Sequence, residues 1–315
     1  MNAHSAELGS NKREAPAQKR KVRFDVDGWI CLDKPVGVTS TQAVGRLRFL
    51  LQAKKAGHAG TLDPLASGVL PVAFGEATKT IPIVQEGVKA YEFAVKWGEE
   101  RETDDGEGQV VARSDLRPSE DAVRRALPRF TGLIEQRPPV YSAIKVKGER
   151  AYDLARDGAP VELAARTIAI HRLELARLEG DVAILSAECG KGAYVRSLAR
   201  DLGRALGCFG YVAELRRTRV GPFEATSATS LDDIVDRATA LAALLPIEAG
   251  LSELPRIVVD RDAAAALRRG HRLLLRGGDA PVDGPAYVSC FGAPVAIGAV
   301  EQGYFVSSRV LNAAS

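Results

Sequence analysis

Sulfur and imidazole ligands are scarce in this chain of 315 residues, and those present are scattered. The four cysteines, Cys31, Cys189, Cys208 and Cys290, form no C-x-x-C pair, which argues against a disulfide framework and against a thiolate metal site. The four histidines, His4, His58, His171 and His271, show neither H-x-x-x-H nor H-E-x-x-H spacing. No catalytic metal is expected, and the cysteines read as small buried or half-buried side chains. Long apolar runs are missing too. None approaches the roughly 18 residues of a membrane helix, and the N-terminal MNAHSAELGSNKREAPAQKRK lacks the apolar centre of a secretory signal. The expectation is a cytoplasmic protein without membrane association. Charge of one sign is also lacking: 43 basic side chains against 40 acidic ones leave +3, too little to identify a nucleic-acid partner.

The 46% hydrophobic content and the length do allow a sizeable core, in two domains or in one large domain with an appendage. Residues 11–23 hold six basic side chains and one acid, a composition that suits either a disordered leader or a loose arm attracted to phosphate. The stretch from 57 to 71, GHAGTLDPLASGVLP, sets one acid, Asp63, where the backbone changes direction. Gly57 and Gly60 permit positive φ or close approach of a ligand, and Pro64 biases Asp63 away from the α region. Taken alone, an Asp-Pro of this kind reads as a cap of the following turn before it reads as a functional acid.

In chain order, Trp29, Ile30 and Leu32 predict a short strand, and Ser40 or Thr41 can cap a helix reaching Leu51 through Val44, Leu47 and Leu50. Val72–Phe74 reads as a buried strand. Tyr91 to Trp97 alternates, placing Tyr91, Phe93, Val95 and Trp97 on one side. Residues 99–109, EERETDDGEGQ, carry six acids and are expected to be a solvent loop that avoids phosphate. A helix capped by Ser119 follows. Residues 137–156 then interleave Tyr141 and Tyr152 with Arg137, Lys145, Lys147, Arg150 and Arg156, a texture that suits either an RNA-facing surface or an ordinary basic hairpin. Arg166–Leu178 and Val182–Cys189 pair as strands, and GKGAYVRSLARDLGRALG leads into a helix with Val195, Leu198, Ala199 and Leu202 inward. Arg196, near its start, opposes the helix dipole and gains more from a nearby carboxylate. Tyr211–Gly221 reads as a strand with three arginines and Leu231–Ala243 as a helix. Pro246 and Pro255 bracket an expected hinge before short strands and a helix from Arg261 to Arg269, the pattern of a small β-barrel or sandwich.

The segments LDKPVGVTS, GHAGTLDPLASGVLP, KAYEF, GAYVRSLARDLG and LRRTRVGPF, in this order, resemble the TruB family of tRNA pseudouridine-55 synthases. The resemblance runs from about Gly28 to Ile247 and is weaker beyond. Ala59 and Ser67 depart mildly from residues common in the family. The resemblance implies an α+β pseudouridine synthase fold with a mixed, mainly antiparallel sheet and a small C-terminal β-barrel of the PUA kind. The implied boundaries are a basic tail over 1–27, a catalytic domain over 28–248 with an RNA-contacting insertion at about 137–160, and an RNA-binding domain over 256–315. The implied reaction turns one uridine of the tRNA T loop into pseudouridine, without metal or organic cofactor, in a monomer needing no protein partner beyond its contact with T loop and T stem. Residue by residue, the resemblance makes Asp63 the catalytic acid, Tyr91 the stacking tyrosine and Arg196 the partner of the acid. Lys34, His58, Tyr194 and Leu215 are then expected to line the pocket or touch displaced bases, while Arg216, Arg217, Arg219 and the bases of 137–156 attract phosphate.

Chemistry agrees with that assignment. The isomerisation breaks the glycosidic bond, turns the uracil and rejoins it through ring carbon 5, with no atoms gained or lost. A carboxylate held at attack distance can serve as nucleophile or base, and an arginine beside it favours its ionised form. The target base must leave its stack, and an aromatic face returns roughly 1–3 kcal/mol of that cost. Two other classes compete: an RNA-binding or tRNA-folding protein in which catalysis is secondary, and a two-carboxylate glycoside hydrolase, for which no second acid is evident beside the glycine-rich loop.

Overall fold

The computed structural model describes residues 23–142, 144–146, 148–157, 161–275 and 282–312. Most of the basic tail and Lys147 lie outside the described residues. A ten-stranded sheet organises the larger part of the chain. Its strands lie side by side in the order Thr229–Ser230, Gly28–Lys34, Ala66–Phe74, Gly210–Val220, Lys89–Trp97, Val182–Cys189, Arg166–Glu179 and Gly132–Gln136. Two short strands, Ala56–His58 and Phe223–Glu224, pair beside this path. Only the outermost Thr229–Ser230 pairing and the central contact between Ala66–Phe74 and Gly210–Val220 are parallel, so the sheet is mixed and mainly antiparallel.

The expected alternation of the Lys89–Trp97 strand holds: Phe93, Val95 and Trp97 are buried while Glu92 and Lys96 face solvent. The helix Val195–Ala205 packs against the sheet with Val195, Leu198, Ala199 and Leu202 inward, as their spacing predicts. Helix Ser40–Leu51 covers another part of the same core through Ala43, Leu47 and Leu51. Its cap is neither Ser40 nor Thr41. Thr39 caps it by accepting from Gln42 N, and the Gln42 side chain reaches back to the Thr39 backbone to complete a capping box.

Three other expectations need correction. Residues 99–109 are not a plain solvent loop: Glu99–Arg101 pairs with Val110–Arg113 as a hairpin, and Asp104 and Asp105 at its turn are buried. Two buried arginines on the Val195–Ala205 helix face that turn, so the acids meet cations rather than water. The helix expected over Leu231–Ala243 is confined to Arg237–Ala242, because Asp236 caps it and holds Thr239 N at 2.8 Å. The Pro246–Pro255 segment is packed, not hinged. It forms a short turn of helix, Ile247–Leu251, whose buried Ile247 and Leu251 share one cluster with Trp29 and Val220 of the large sheet.

The C-terminal part is a five-stranded sheet in the order Arg256–Val258, Gly284–Cys290, Ala293–Glu301, Tyr304–Val310, Leu273–Leu274, with helix Arg261–Arg268 against it. The curled sheet matches the small β domain that the sequence implies. Tyr287, Ile297 and Leu311 join the cluster around Trp29, Lys79 Nζ donates to Val310 O at 2.9 Å, and Glu76 accepts from Asn312 N at 2.7 Å. The junction depends on close approach at Gly250, where a Cβ would come within 2.6 Å of Trp29 Nε1. Gly250→Ala should therefore destabilise the protein by about 1–3 kcal/mol, the usual cost of overpacking, and lower its denaturant midpoint. An unchanged midpoint would show that the junction yields freely.

Candidate active site

The centre of the large sheet brings three distant segments together. The strand Gly210–Val220 lies between Ala66–Phe74 and Lys89–Trp97, so Leu215 sits opposite both Ala66 and Phe93, and Arg217 opposite both Gly68 and Tyr91. Asp63 stands just before the first of these strands, where Ala66 N donates to Asp63 O at 3.1 Å. Gly68 has φ +103, and a Cβ there would lie 2.1 Å from Arg217 O, so only glycine allows the parallel strands this spacing.

The Asp63 loop is held from several sides. Ser40 Oγ donates to Leu62 O at 2.9 Å and accepts from Leu62 N at 2.8 Å, and Gly37 N donates to Pro64 O at 2.8 Å. Gly60 adopts φ +103 as its sequence context suggests, whereas Gly57 has no positive φ. The Pro-led stiffness thus extends into a hydrogen-bonded frame, and Asp63 is not a simple turn cap.

Arg196 reaches Asp63 from the Val195–Ala205 helix, with Nη2 3.0 Å from Asp63 Oδ2. The arginine side chain is 6% exposed and the aspartate 38%, so the acid remains reachable while its partner is enclosed. The guanidinium also donates to Thr103 O at 2.9 Å and Tyr141 O at 2.8 Å, and Nη1 lies 3.4 Å from Asp105 Oδ2. Asp105 is held in turn by Thr103 Oγ1 and by Glu107 N at 3.0 Å. One turn along the helix, Arg200 pairs with Asp104 at 2.8 Å and donates to Arg137 O. Burial pushes the Asp104 carboxyl up to about 6, against the opposing charges of Arg200, Arg196 and Arg204. A second acid, Asp105, which the sequence did not make evident beside the glycine-rich loop, is present, but it meets the other terminal nitrogen of Arg196. Two carboxylates do not face one another across the cleft.

That cleft, about 530 Å³, is walled by Asp63, Arg196, Tyr91, Tyr194 and Leu215, together with Arg217, Lys89 and the turn Gly190–Gly192. Five of the residues singled out from sequence therefore meet at one place. Tyr91 forms part of the wall, with its hydroxyl pushed above the ordinary value by burial, while the Arg217 charge opposes the rise. The Tyr194 backbone exchanges two hydrogen bonds with the Gln136 side chain, and Arg166 lies over its ring at 5.4 Å.

Lys34 and His58 do not line the cleft. Lys34 is wholly buried beneath the Asp63 loop and donates to Pro35 O at 2.8 Å and Val38 O at 2.7 Å, so it braces the chain between strand and helix. His58, on the short strand Ala56–His58, is half-buried, and burial followed by the Arg217 charge depresses its basicity. Of the three arginines expected to attract phosphate, Arg217 is enclosed, whereas Arg216 and Arg219 are partly exposed and each pairs with an acid. Arg216 pairs with Asp33 at 2.7 Å, Arg219 pairs with Glu253 at 2.8 Å, and Arg217 is 2% exposed. Residues not foreseen at the site are Arg217, Lys89, Gln136, Asp105 and Ser40. Arg217 was visible as one of three arginines in a strand, and alternation there would have turned it inward. Nothing local singles out Asp105 from the five other acids of its segment.

Among the described residues no group of three or more His, Cys, Asp or Glu side chains could hold a metal ion. The cleft has room for a planar ring beside Tyr91 and the Asp63–Arg196 pair.

Two expectations follow from this geometry. Ser40→Ala leaves the buried Leu62 N–H and C=O without their partner, which should cost about 1–3 kcal/mol and slow any chemistry at Asp63 more than it weakens substrate binding. Equal changes in turnover and binding would separate Ser40 from the loop's geometry. Burial pushes Lys34 down to about 8 from its ordinary 10.5, with the Asp63 charge opposing. Because the folded value is depressed, the unfolded chain binds more protons between about pH 8 and pH 10.5, and the charged lysine's penalty fades as pH rises through that window. The unaltered protein should gain stability relative to Lys34→Met from pH 8 to pH 10, read as the difference between denaturation midpoints.

Comparison with known proteins places this site in context. A model described as TruB family pseudouridylate synthase, N-terminal domain, matches residues 48–195, and one described as tRNA pseudouridylate synthase B C-terminal domain matches residues 196–252. A relative named tRNA pseudouridine synthase B in Bradyrhizobium diazoefficiens is 55% identical over 96% of this chain and 90% of its own length. The protein of the same name in Agrobacterium fabrum is 52% identical over 96% of this chain and 99% of its own. Among solved structures, a chain of a Cbf5–Nop10–Gar1 complex superposes with a TM-score of 0.69 at 27% identity, over 90% of this chain and 83% of its own. A chain of an H/ACA RNP bound to a substrate RNA containing 2′-deoxyuridine gives 0.70 at 25% identity, over 91% of this chain and 85% of its own.

Proposed function

This chain belongs to the TruB family of pseudouridylate synthases, and from that membership we propose that it isomerises uridine 55 in the T loop of tRNA to pseudouridine. The observation that carries the reading is the Asp63–Arg196 pair, 3.0 Å apart on the wall of a cleft that Tyr91 also lines. The extruded uridine enters the cleft and lays its uracil against Tyr91, which returns part of the unstacking cost. Asp63 acts at the sugar as nucleophile or base while the bond from sugar carbon 1′ to ring nitrogen 1 breaks. Arg196, fixed by two carbonyls and Asp105, keeps the carboxylate oriented and compensates its charge. The freed uracil turns against Tyr91, carbon 5 joins sugar carbon 1′, and the proton on carbon 5 leaves as nitrogen 1 gains one. In this reading the Tyr91 phenol relays that proton. Tyr194 and Leu215 complete the wall around the ring, and Lys34 and His58 act through the loop they border.

Residues 28–248 form the catalytic unit in this reading, with the insertion at about 137–160 contacting the RNA and residues 256–315 adding a PUA-like contact to it. The same reading has the protein act on tRNA in the cytoplasm as a monomer without an obligatory protein partner. No helix among the described residues is long and apolar enough to cross a membrane. The rival reading, an RNA-folding protein with secondary catalysis, leaves the enclosed Asp63–Arg196 pair unexplained.

Incubation with unmodified tRNA, followed by carbodiimide–primer extension, should reveal pseudouridine in the T loop. Asp63→Asn should abolish the product while leaving tRNA affinity within a few fold. No product from the unaltered protein would sink the reading, and a product elsewhere in the tRNA would keep the reaction but overturn its specificity.

A further inference from the structure

Arg217 is enclosed at the floor of the cleft, and among the described residues no carboxylate lies within ion-pair distance of it. Its guanidinium spends its donors on the loop before Asp63 and on the strand Ala66–Phe74 after it. Nε donates to Val69 O at 2.8 Å, Nη2 to Gly60 O at 2.9 Å and Nη1 to Thr61 O at 3.3 Å. Across the sheet its backbone is in register with Tyr91, both side chains line the same cleft, and its charge opposes the rise that burial imposes on the Tyr91 hydroxyl. Two glycines with φ +103 flank it: Gly68, whose missing Cβ admits the Arg217 backbone, and Gly60, whose carbonyl the guanidinium holds.

A cation buried without a carboxylate is a poor choice for stability. Desolvation penalises its charge, and an apolar side chain of similar volume would fill the same space at lower cost. The arrangement makes sense if the guanidinium is there to join two functional groups that come from different strands. The geometry points to Arg217 as the positioning residue of the site: by binding the Gly60–Thr61 carbonyls from a strand position in register with Tyr91, it sets the spacing between Tyr91 and Asp63. This inference rests on the synthase reading and deepens it. Arg217 touches neither sugar nor base in this account and works through Tyr91 and the loop. Lysine cannot replace it, since one ammonium lacks the fixed fork by which the guanidinium spans the three carbonyls of Gly60, Thr61 and Val69.

The test uses the full chain and unmodified tRNA, with Arg217→Lys and Arg217→Met each made alone and in combination with Tyr91→Phe. Single-turnover pseudouridine formation, tRNA affinity and thermal midpoint are read for every protein. If Arg217 sets the spacing, either substitution slows the single-turnover step by about 100-fold, the scale of a 1 Å misplacement, with affinity changed only a few fold. In the Tyr91→Phe background the same substitutions then cost less than about tenfold, because the contact they disturb is already gone. A loss of equal size in both backgrounds, an affinity loss that accounts for the rate loss, or a wild-type rate for Arg217→Lys would overturn the inference. So would failure of both variants to fold, since Arg217 would then be a determinant of the fold alone. No product from the unaltered protein would overturn the functional reading and this inference with it. Product from the unaltered protein with any of the other adverse outcomes overturns the inference only.

Discussion

A buried guanidinium tolerates no vacancy among its partners, and Arg196 is the one around which the larger part of this molecule is arranged. Removing one partner of a buried pair typically costs about 3–5 kcal/mol, because the remaining charge is left desolvated. Arg196 avoids that by binding Asp63, Asp105, Thr103 O and Tyr141 O at once. These partners come from the glycine-rich loop, the 99–113 hairpin and the segment after Pro139. None of the three belongs to the helix that carries the arginine. The ionic network therefore fixes the relative placement of elements that the sheet alone would leave free.

The sheet provides the second constraint. A strand running parallel to one neighbour and antiparallel to the other places its inward residues opposite two different chains, and Gly210–Val220 does this at Leu215 and Arg217. Asp63 enters from the parallel side and Tyr91 from the antiparallel side. Ser40 adds a third anchor by closing both backbone groups of Leu62. Asp63 is thus approached by a helix, a strand and a buried arginine pair, which is the kind of preorganisation that proximity effects require.

Much of this was legible in the residues and some was not, for physical reasons that differ. Helix Val195–Ala205 announces itself because its inward set follows the 3.6-residue period, and the pairing of Arg196 follows from its unfavourable place near a helix start. Asp63 is conspicuous because glycine and proline restrict the loop on either side. The acidic hairpin misleads: composition predicts solvent, but Asp104 and Asp105 are drawn inward by arginines nearly a hundred residues away, which no local pattern encodes. Lys34 misleads in the opposite way. The family resemblance sets it at the pocket or against a displaced base, yet it is buried and donates to two backbone carbonyls. The expected hinge at Pro246–Pro255 fails because two apolar side chains between the prolines reach the core, and proline marks a change of direction without implying mobility.

The two enclosed arginines divide the work of the cleft. Arg196 faces a carboxylate, so its charge is compensated and the pair can sit beside a reacting sugar without a large net field. Arg217 faces carbonyls and a phenol, so its charge is spread over dipoles and acts on Tyr91, whose hydroxyl burial would otherwise hold more firmly protonated. An isomerisation that breaks and remakes one bond needs both environments: an anion held steady at the sugar, and a ring face whose attached hydroxyl can pass on a proton. Separate cations achieve this where a single one could not, because a guanidinium saturated by two carboxylates has little field left for a phenol on the opposite wall.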